Sequence, residues 1–310
     1  CRLLGPTTML CEIAEWEVFG NVLTTYLILL ATTVSFTLCM SSILFLAFYV
    51  KPTYEWWRWK SDPRFPEPLM VRNEIIQMIK GSGAAVICPV ASLYLTRLGY
   101  SSAYCGSGGY GLGYHVFQFV FIWIASDFFE FYYHRLGHIT KIGWSQHKYH
   151  HHFYNPTPFA VVADEYMDQL VRAAPLVVFP MIMPTNIDLM IFEFLVFFYG
   201  YGLFLHWGFE LNYPDAHHPW INAAFQHHLH HKISIKNRPL HTGFFFKIWD
   251  QMFGSVYTDD CFCAKCAQKK GERTPEQFAQ IKKPDYSILL KPKFWANSFS
   301  ATKIAMKDKN

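Results

Sequence analysis

The distribution of charge along the chain sets its architecture. Residues 21–50 run for thirty positions without one charged side chain, more than the ~20 that an α-helix needs to cross a bilayer. Lys51 and Pro52 end this tract, and Trp56, Trp57 and Trp59 follow among Arg58, Lys60 and Arg64, the aromatic and basic mixture of a headgroup-level belt. A weaker apolar stretch at 81–95 is interrupted by Pro89, so it reads either as a kinked span or as an interfacial helix. Residues 100–113 are uncharged and rich in Gly and Ser and read as a loop. From 112 the chain is apolar and aromatic until Asp127 and Glu130, after which comes His134; this predicts a helix leaving the membrane with a polar end. Residues 173–205 hold only Asp188 and Glu193 as acids or bases and break at Pro180, Pro184 and Asn186. They predict a helical hairpin that returns His206 to the side the chain came from. Residues 243–250 read as another partly buried helix, and the chain beyond Tyr257 as a charged, soluble tail.

Basic residues dominate 51–80 and recur at Arg135, Lys141 and Lys148, which places these segments in the cytoplasm and the N-terminus outside. The fold class expected is all-α: an integral membrane bundle of about four transmembrane helices with a cytosolic, histidine-rich helical cap. Residues 1–111 form an N-terminal membrane segment with one or two spans, 112–257 the histidine-bearing domain and 258–310 a polar cytosolic tail. Residues 1–20 carry Glu12, Glu15 and Glu17 with one Arg, without the basic n-region of a cleavable signal. Because the sequence opens on Cys1, its natural start is expected to lie further upstream.

Composition agrees with the membrane reading. Of 310 residues, 52% are apolar and 18% aromatic, while only 16% are charged, well below the usual quarter. A net charge of +4 without any Lys/Arg run excludes a nucleic-acid partner. The eight cysteines lack the rhythm of a disulfide scaffold, so a reduced compartment is expected.

The chemistry lies in the histidines. All fifteen fall between His115 and His241, internal and spaced, unlike an affinity tag. On a helix, residues three and four apart share a face, so His134 pairs with His138, His147 groups with His150 and His151, and His227 groups with His230 and His231. His206 lies at the end of the hairpin and is a ninth candidate ligand. His115, His152, His217, His218 and His228 are assigned away from the site. Neutral imidazole binds iron, zinc, copper and nickel alike, so the ligand set does not choose the metal. Asp127, Glu130, Asp164, Glu165 and Asp168 flank the boxes and read as partners that hold imidazole N–H groups. Cys261, Cys263 and Cys266 supply three thiols where a closed zinc site takes four ligands, and they read as free surface thiols. A metal transporter would place its ligands within the spans, and a zinc hydrolase would show three protein ligands, typically through H-E-x-x-H; neither matches this pattern.

One H-x-x-x-H box followed by two H-x-x-H-H boxes, on a polyaromatic membrane chain, resembles the fatty acid hydroxylase/sterol desaturase superfamily. Trp249-Asp250 followed by Phe253-Gly254-Ser255 is similar to the signature that closes that domain, and the resemblance covers roughly residues 112–257. It implies a four-helix membrane bundle in the endoplasmic reticulum under a cytosolic cap holding two iron ions. It also implies O2 as co-substrate and electrons from NAD(P)H through a reductase and a cytochrome b5-type carrier. By motif, the iron ligands would be His134, His138, His147, His150, His151, His227, His230 and His231. The substrate would be a lipid entering between helices, along a tunnel that aromatic residues around 116–133 and 192–204 would line. Pro156-Thr157-Pro158-Phe159-Ala160 is similar to the corresponding segment of C-5 sterol desaturases and favours a sterol-type lipid. Where the family commonly shows Asn-Tyr-Gly, this chain reads His241-Thr242-Gly243, which makes His241 a possible ligand or substrate contact, with Asp164 and Asp168 the other supporting residues. Methylsterol oxidation, sterol hydroxylation, squalene epoxidation and fatty acid hydroxylation are the alternative reactions.

Overall fold

The structure is a computed structural model that describes residues 17–296. It is helical apart from a two-residue parallel ladder between Ala103–Tyr104 (β1) and Thr185–Asn186 (β2). Among the described residues four helices are long and apolar enough to cross a membrane: Val22–Val50, Pro68–Arg97, Leu112–Ile139 and Ile187–His206. That is the expected number.

Helix α1, Val22–Phe45, starts where the Asn21 side chain accepts the Thr24 amide at 3.1 Å, and it passes into a π-helical turn at Leu46–Val50. After a single turn at Tyr54–Trp57 (α2), the chain enters Pro68–Ala85 (α3) and Ile87–Arg97 (α4). These two form one bent crossing. The bend falls at Val86, ahead of Pro89, whose ring lacks the N–H that would bond the preceding turn. Residues 81–95 thus belong to a bent helix long enough for the kinked-span reading, and it begins much earlier than expected, at Pro68, where a missing N–H costs nothing. Helix α5, Leu112–Ile139, has 28 residues, about 42 Å at 1.5 Å per residue, and is followed by α6, Lys141–His147. The hairpin descends as two short helices, Tyr166–Arg172 (α7) and Pro175–Ile182 (α8), the second packed against α4. It turns at β2 and returns as Ile187–Glu193 (α9), a π-helical stretch Phe194–Gly200 and Tyr201–His206 (α10). The loop carrying β1 and the hairpin turn thus sit together, at the end of α5 opposite its histidines.

Beyond the bundle, Ala224–Ile233 (α11) carries the third histidine box, and Ile248–Met252 (α12) is all that remains of the helix expected over 243–250. Residues 243–247 stay irregular because their amides are spent on carboxylates. Asp127 accepts from Phe245 at 2.7 Å and Phe246 at 3.3 Å, and Asp250 accepts from Gly243 at 2.9 Å. The tail does not trail away. Ala264–Lys269 (α13), Pro275–Gln280 (α14) and Pro292–Ala296 (α15) pack back on the bundle. The Tyr286 ring is buried against Phe45, and its hydroxyl donates to the Pro66 carbonyl at 2.7 Å.

Large apolar side chains stand exposed along α1 (Leu23, Leu27, Ile43) and along α5 (Val116, Phe117, Ile124), the surface a bilayer would cover. The buried core gathers instead at the histidine end, around Tyr49, Trp57, Phe65, Phe159 and Phe209. Cys105 is disulfide-bonded, which a wholly reduced compartment would not give, whereas Cys39, Cys88, Cys261, Cys263 and Cys266 are free.

The segment 156–164, which leads from the second histidine box into α7, is held by both flanking spans. Ser41 donates to the Pro158 carbonyl at 2.9 Å, Glu74 accepts the Thr157 amide at 3.2 Å and its hydroxyl, and Gln77 donates to the Asp164 carbonyl at 2.7 Å. Gly81 makes the approach possible, because a Cβ there would collide with the Val162 carbonyl. Gly81→Ala is expected to cost roughly 1–3 kcal/mol, read as a lower thermal midpoint in detergent. In the control Gly83→Ala the added methyl meets only the Tyr26 hydroxyl, at 3.4 Å, and the midpoint should hardly move.

Candidate metal centre

Each histidine box is delivered by a local device. His134 and His138 lie one turn apart at the end of α5. Thr140 then reverses the chain, its hydroxyl accepting the Gly143 amide at 3.0 Å to start α6. His147 ends α6 and lies flat against α5 because residue 137 is glycine; a Cβ there would be 3.2 Å from the imidazole ring. The second box does not continue as one helix. It passes through a turn into a 3-10 segment, His150–His152, yet His147, His150 and His151 still converge. On α11, His227, His230 and His231 share the inner face, while His228 points away, towards Asp62 and Lys232.

His206 arrives from the hairpin. Phe194, Phe198, Gly202 and His206 all line one cavity at a spacing of four. Four residues overshoot an α-turn and undershoot a π-turn, so a helix that mixes the two keeps this row in line.

The nine histidines form two adjoining groups. His134, His138, His147, His151 and His230 make one, and His150, His206, His227 and His231 the other, with ring nitrogens in each group within 4.8 Å of one another. The groups touch: the ring centres of His151 and His231, one from each, lie 5.3 Å apart, against 4.4 Å for His150 and His231 within the second group.

Six of the rings are oriented by an oxygen on Nδ1. The carbonyls of Thr242, Ile235, Gly202 and Leu240 accept from His134 (3.1 Å), His138 (3.2 Å), His206 (2.7 Å) and His230 (2.6 Å). Asp168 lies 2.9 Å from His147 Nδ1, and Asp164 3.1 Å from His150 Nδ1. A carbonyl only accepts, so Nδ1 carries the proton and Nε2 turns a lone pair inward. The Nε2 atoms of His134, His138 and His230 are buried and find no hydrogen-bond partner among the described residues. Others face each other: His206 and His227 at 2.8 Å, His227 and His231 at 3.1 Å, His147 and His151 at 3.1 Å.

Charged imidazolium does not account for these contacts. Burial, reinforced by neighbouring imidazoles, holds His147, His151, His227, His230 and His231 well below the usual histidine range, and burial brings His150 down to about 4. The rings are neutral at physiological pH, the Nε2 atoms of His134, His138 and His230 are orphaned, and this donor set fits transition-metal cations placed between the rings.

The acidic residues divide. Asp164 and Asp168 hold imidazoles as expected; Asp127, Glu130 and Glu165 do not. Asp127 holds the 245–246 backbone and the Trp249 indole (2.7 Å), Glu130 pairs with Arg172, and Glu165 accepts from Gln77 at 3.3 Å. His241 is in neither group and does not line the cavity. Its Nε2 accepts the Tyr257 amide at 3.1 Å, and its φ is +50°. Asn and His are among the side chains that take such a conformation most readily, so His241 is accommodated at this corner. The flanking carbonyls, Leu240 and Thr242, are the ones that orient His230 and His134. Sequence reasoning missed these carbonyl anchors because a backbone oxygen leaves no mark in a sequence.

A cavity of about 280 Å³ adjoins the histidines, lined by Pro89, Leu176, Phe194 and Phe198 and, at its polar end, by His134, His150, His206 and His227. Of the aromatic residues expected around a tunnel, Phe194, Phe198 and Tyr199 of the hairpin line it, whereas Phe192 is exposed and Phe117, Phe121 and Phe128 face outward from α5.

The bundle thus brings together two histidine groups that could hold metal ions and an apolar cavity beside them, and comparison with known proteins shows what the chain resembles. Residues 119–255 match the fatty acid hydroxylase family. Over 236 residues, 75% of this chain and 62% of the relative, the sequence is 31% identical to a Delta(7)-sterol 5(6)-desaturase of Gibberella zeae. It is 27% identical over 204 residues to human lathosterol oxidase, covering 64% of this chain and 66% of that protein. It is 29% identical over 200 residues to a probable Delta(7)-sterol 5(6)-desaturase of Neurospora crassa, 62% of this chain and 55% of the relative. The matched stretch therefore spans between 55% and 66% of these three proteins. No solved structure matches the chain. Over these stretches the chain is similar to the fatty acid hydroxylase family and to sterol desaturases.

Asp168→Asn should leave the fold intact and weaken retention of the bound transition metal roughly 10–100-fold, measured by competition with a chelator. His241→Asn should leave retention unchanged.

Proposed function

We propose that this protein is an oxygen-dependent, di-iron membrane oxidoreductase that introduces a double bond into a sterol-type lipid, in the manner of a C-5 sterol desaturase. The observation that carries the reading is the junction of the two histidine groups with the end of an apolar, membrane-level cavity. Kinship with sterol desaturases supports the substrate class.

His134, His138, His147, His151 and His230 would hold one iron, and His150, His206, His227 and His231 the second. Iron held there supplies activation of O2 and the oxidising power to remove hydrogen from an unactivated C–H bond. The chain does the rest. Asp168 and Asp164 keep His147 and His150 in the tautomer that points Nε2 inward. Phe194, Phe198 and Leu176 exclude water from the reacting lipid and orient it, and the Glu130–Arg172 pair closes the cavity wall with its charges satisfied. Electrons would come from NAD(P)H through a reductase and a cytochrome b5-type carrier. The setting would be the endoplasmic reticulum membrane with the histidines facing the cytosol. The sidedness of the cysteines supports this: the thiols at 261, 263 and 266, on the histidine side, are free, and Cys105, in the loop at the far end of α5, is disulfide-bonded.

The test is expression in yeast lacking its own C-5 sterol desaturase, with sterols read by mass spectrometry. The ring double bond should return with the wild-type chain and not with His147→Ala or His230→Ala, both of which should also lose iron. Rescue only of a strain deficient in methylsterol oxidation or squalene epoxidation would move the substrate, and unchanged activity in both variants would sink the di-iron reading.

A further inference from the structure

The three thiols of the tail have a fourth partner that their spacing does not reveal. The loop before α11 brings His217 onto them: its Nε2 lies 3.2 Å from Cys266 Sγ, 3.5 Å from Cys263 Sγ and 3.9 Å from Cys261 Sγ. All four donor atoms lie within 4.8 Å of one another. With Zn–S near 2.3 Å and Zn–N near 2.0–2.1 Å, a tetrahedral site puts its sulfurs about 3.8 Å apart and its nitrogen about 3.6 Å from each sulfur. The His217 distances bracket that value.

The surroundings are built to hold the four groups. Cys263 is fully buried and caps α13, its sulfur accepting the Cys266 amide at 3.4 Å. Asp215 accepts the His217 amide at 2.9 Å and pairs with Lys265 at 2.6 Å, which ties the His217 loop to α13 directly. Glu210 accepts the Ala264 amide at 3.0 Å. All three cysteines are free thiols despite their mutual closeness.

We propose that His217, Cys261, Cys263 and Cys266 form a structural zinc site, separate from the nine-histidine centre. On binding, the three thiols give up their protons to solvent and coordinate as thiolates, and His217 contributes its Nε2 lone pair. Four protein ligands leave no open position, so the site does no chemistry. Its consequence is mechanical. Cys263 packs in one buried cluster with Ala216, Phe225 and Leu229, the last two on α11, so zinc would staple the tail to the helix that carries His227, His230 and His231.

Metal analysis of the full chain, purified in detergent under reducing conditions, should find about one zinc per chain in addition to whatever the histidine centre holds. Cys263→Ser and Cys266→Ser should lose the zinc and keep the other metal. His217→Cys should retain zinc, and its cobalt-loaded form should show thiolate-to-metal charge transfer. In the wild-type chain, which removes any question of variant folding, Cys261, Cys263 and Cys266 should resist alkylation until a zinc chelator is added. Absence of zinc from the wild type, zinc undiminished in both serine variants, or thiols that alkylate equally with and without chelator would overturn the proposal.

Discussion

Nine neutral imidazoles packed together, six of them anchored so that Nε2 faces inward, are the constraint on which the rest of the structure depends. Burying one such group without a partner costs free energy, and cations held between the rings would offset that cost. Each ring must also be held from behind, or it would turn its lone pair towards water. Six are held through Nδ1, by four carbonyls and two carboxylates. Those oxygens must themselves be fixed, and this requirement accounts for much of the surrounding architecture.

Two loops carry the anchors. Residues 235–243 supply the carbonyls for His134, His138 and His230, and Asp127 and Asp250 clamp the end of this loop and the residues that follow. Asp250 accepts the Thr242 amide at 3.0 Å and the Ser255 hydroxyl at 2.6 Å. Residues 156–168 supply Asp164 and Asp168, and Ser41, Glu74 and Gln77 hold the segment from two different spans. The spans are therefore more than anchors in lipid, since their inner polar side chains set the position of the loops that orient the histidines. The hairpin adds His206 and, through its mixed α and π winding, an apolar row that leads from the membrane-level cavity to the same point.

Much of this was legible in the sequence. Uncharged tracts located the spans, since charge in hydrocarbon is expensive whatever the fold. Helical spacing picked out the eight box histidines, and the hairpin's breaks marked His206. The pairing of Asp164 and Asp168 with imidazoles followed from chemistry and proximity. Other features were misread for definite reasons. The apolar run at 243–250 looks helical by composition, but two distant aspartates claim its amides. The long helix of the second span begins at Pro68, in residues too polar to signal a membrane helix, and the buried ones among them, such as Glu74, are satisfied by partners, here Thr157.

What the sequence determined by itself was local: which tracts are too apolar for water, which histidines share a helical face, and the family that their order marks. Only the tertiary structure decided which groups from distant segments meet. It set Asp127 on a backbone loop instead of an imidazole, placed His241 at a positive-φ corner outside the centre, and brought His217 to three cysteines more than forty residues away. The physical reason is the same in each case. A side chain's type fixes what it can bind, whereas its partner is fixed by packing between elements that local spacing does not encode.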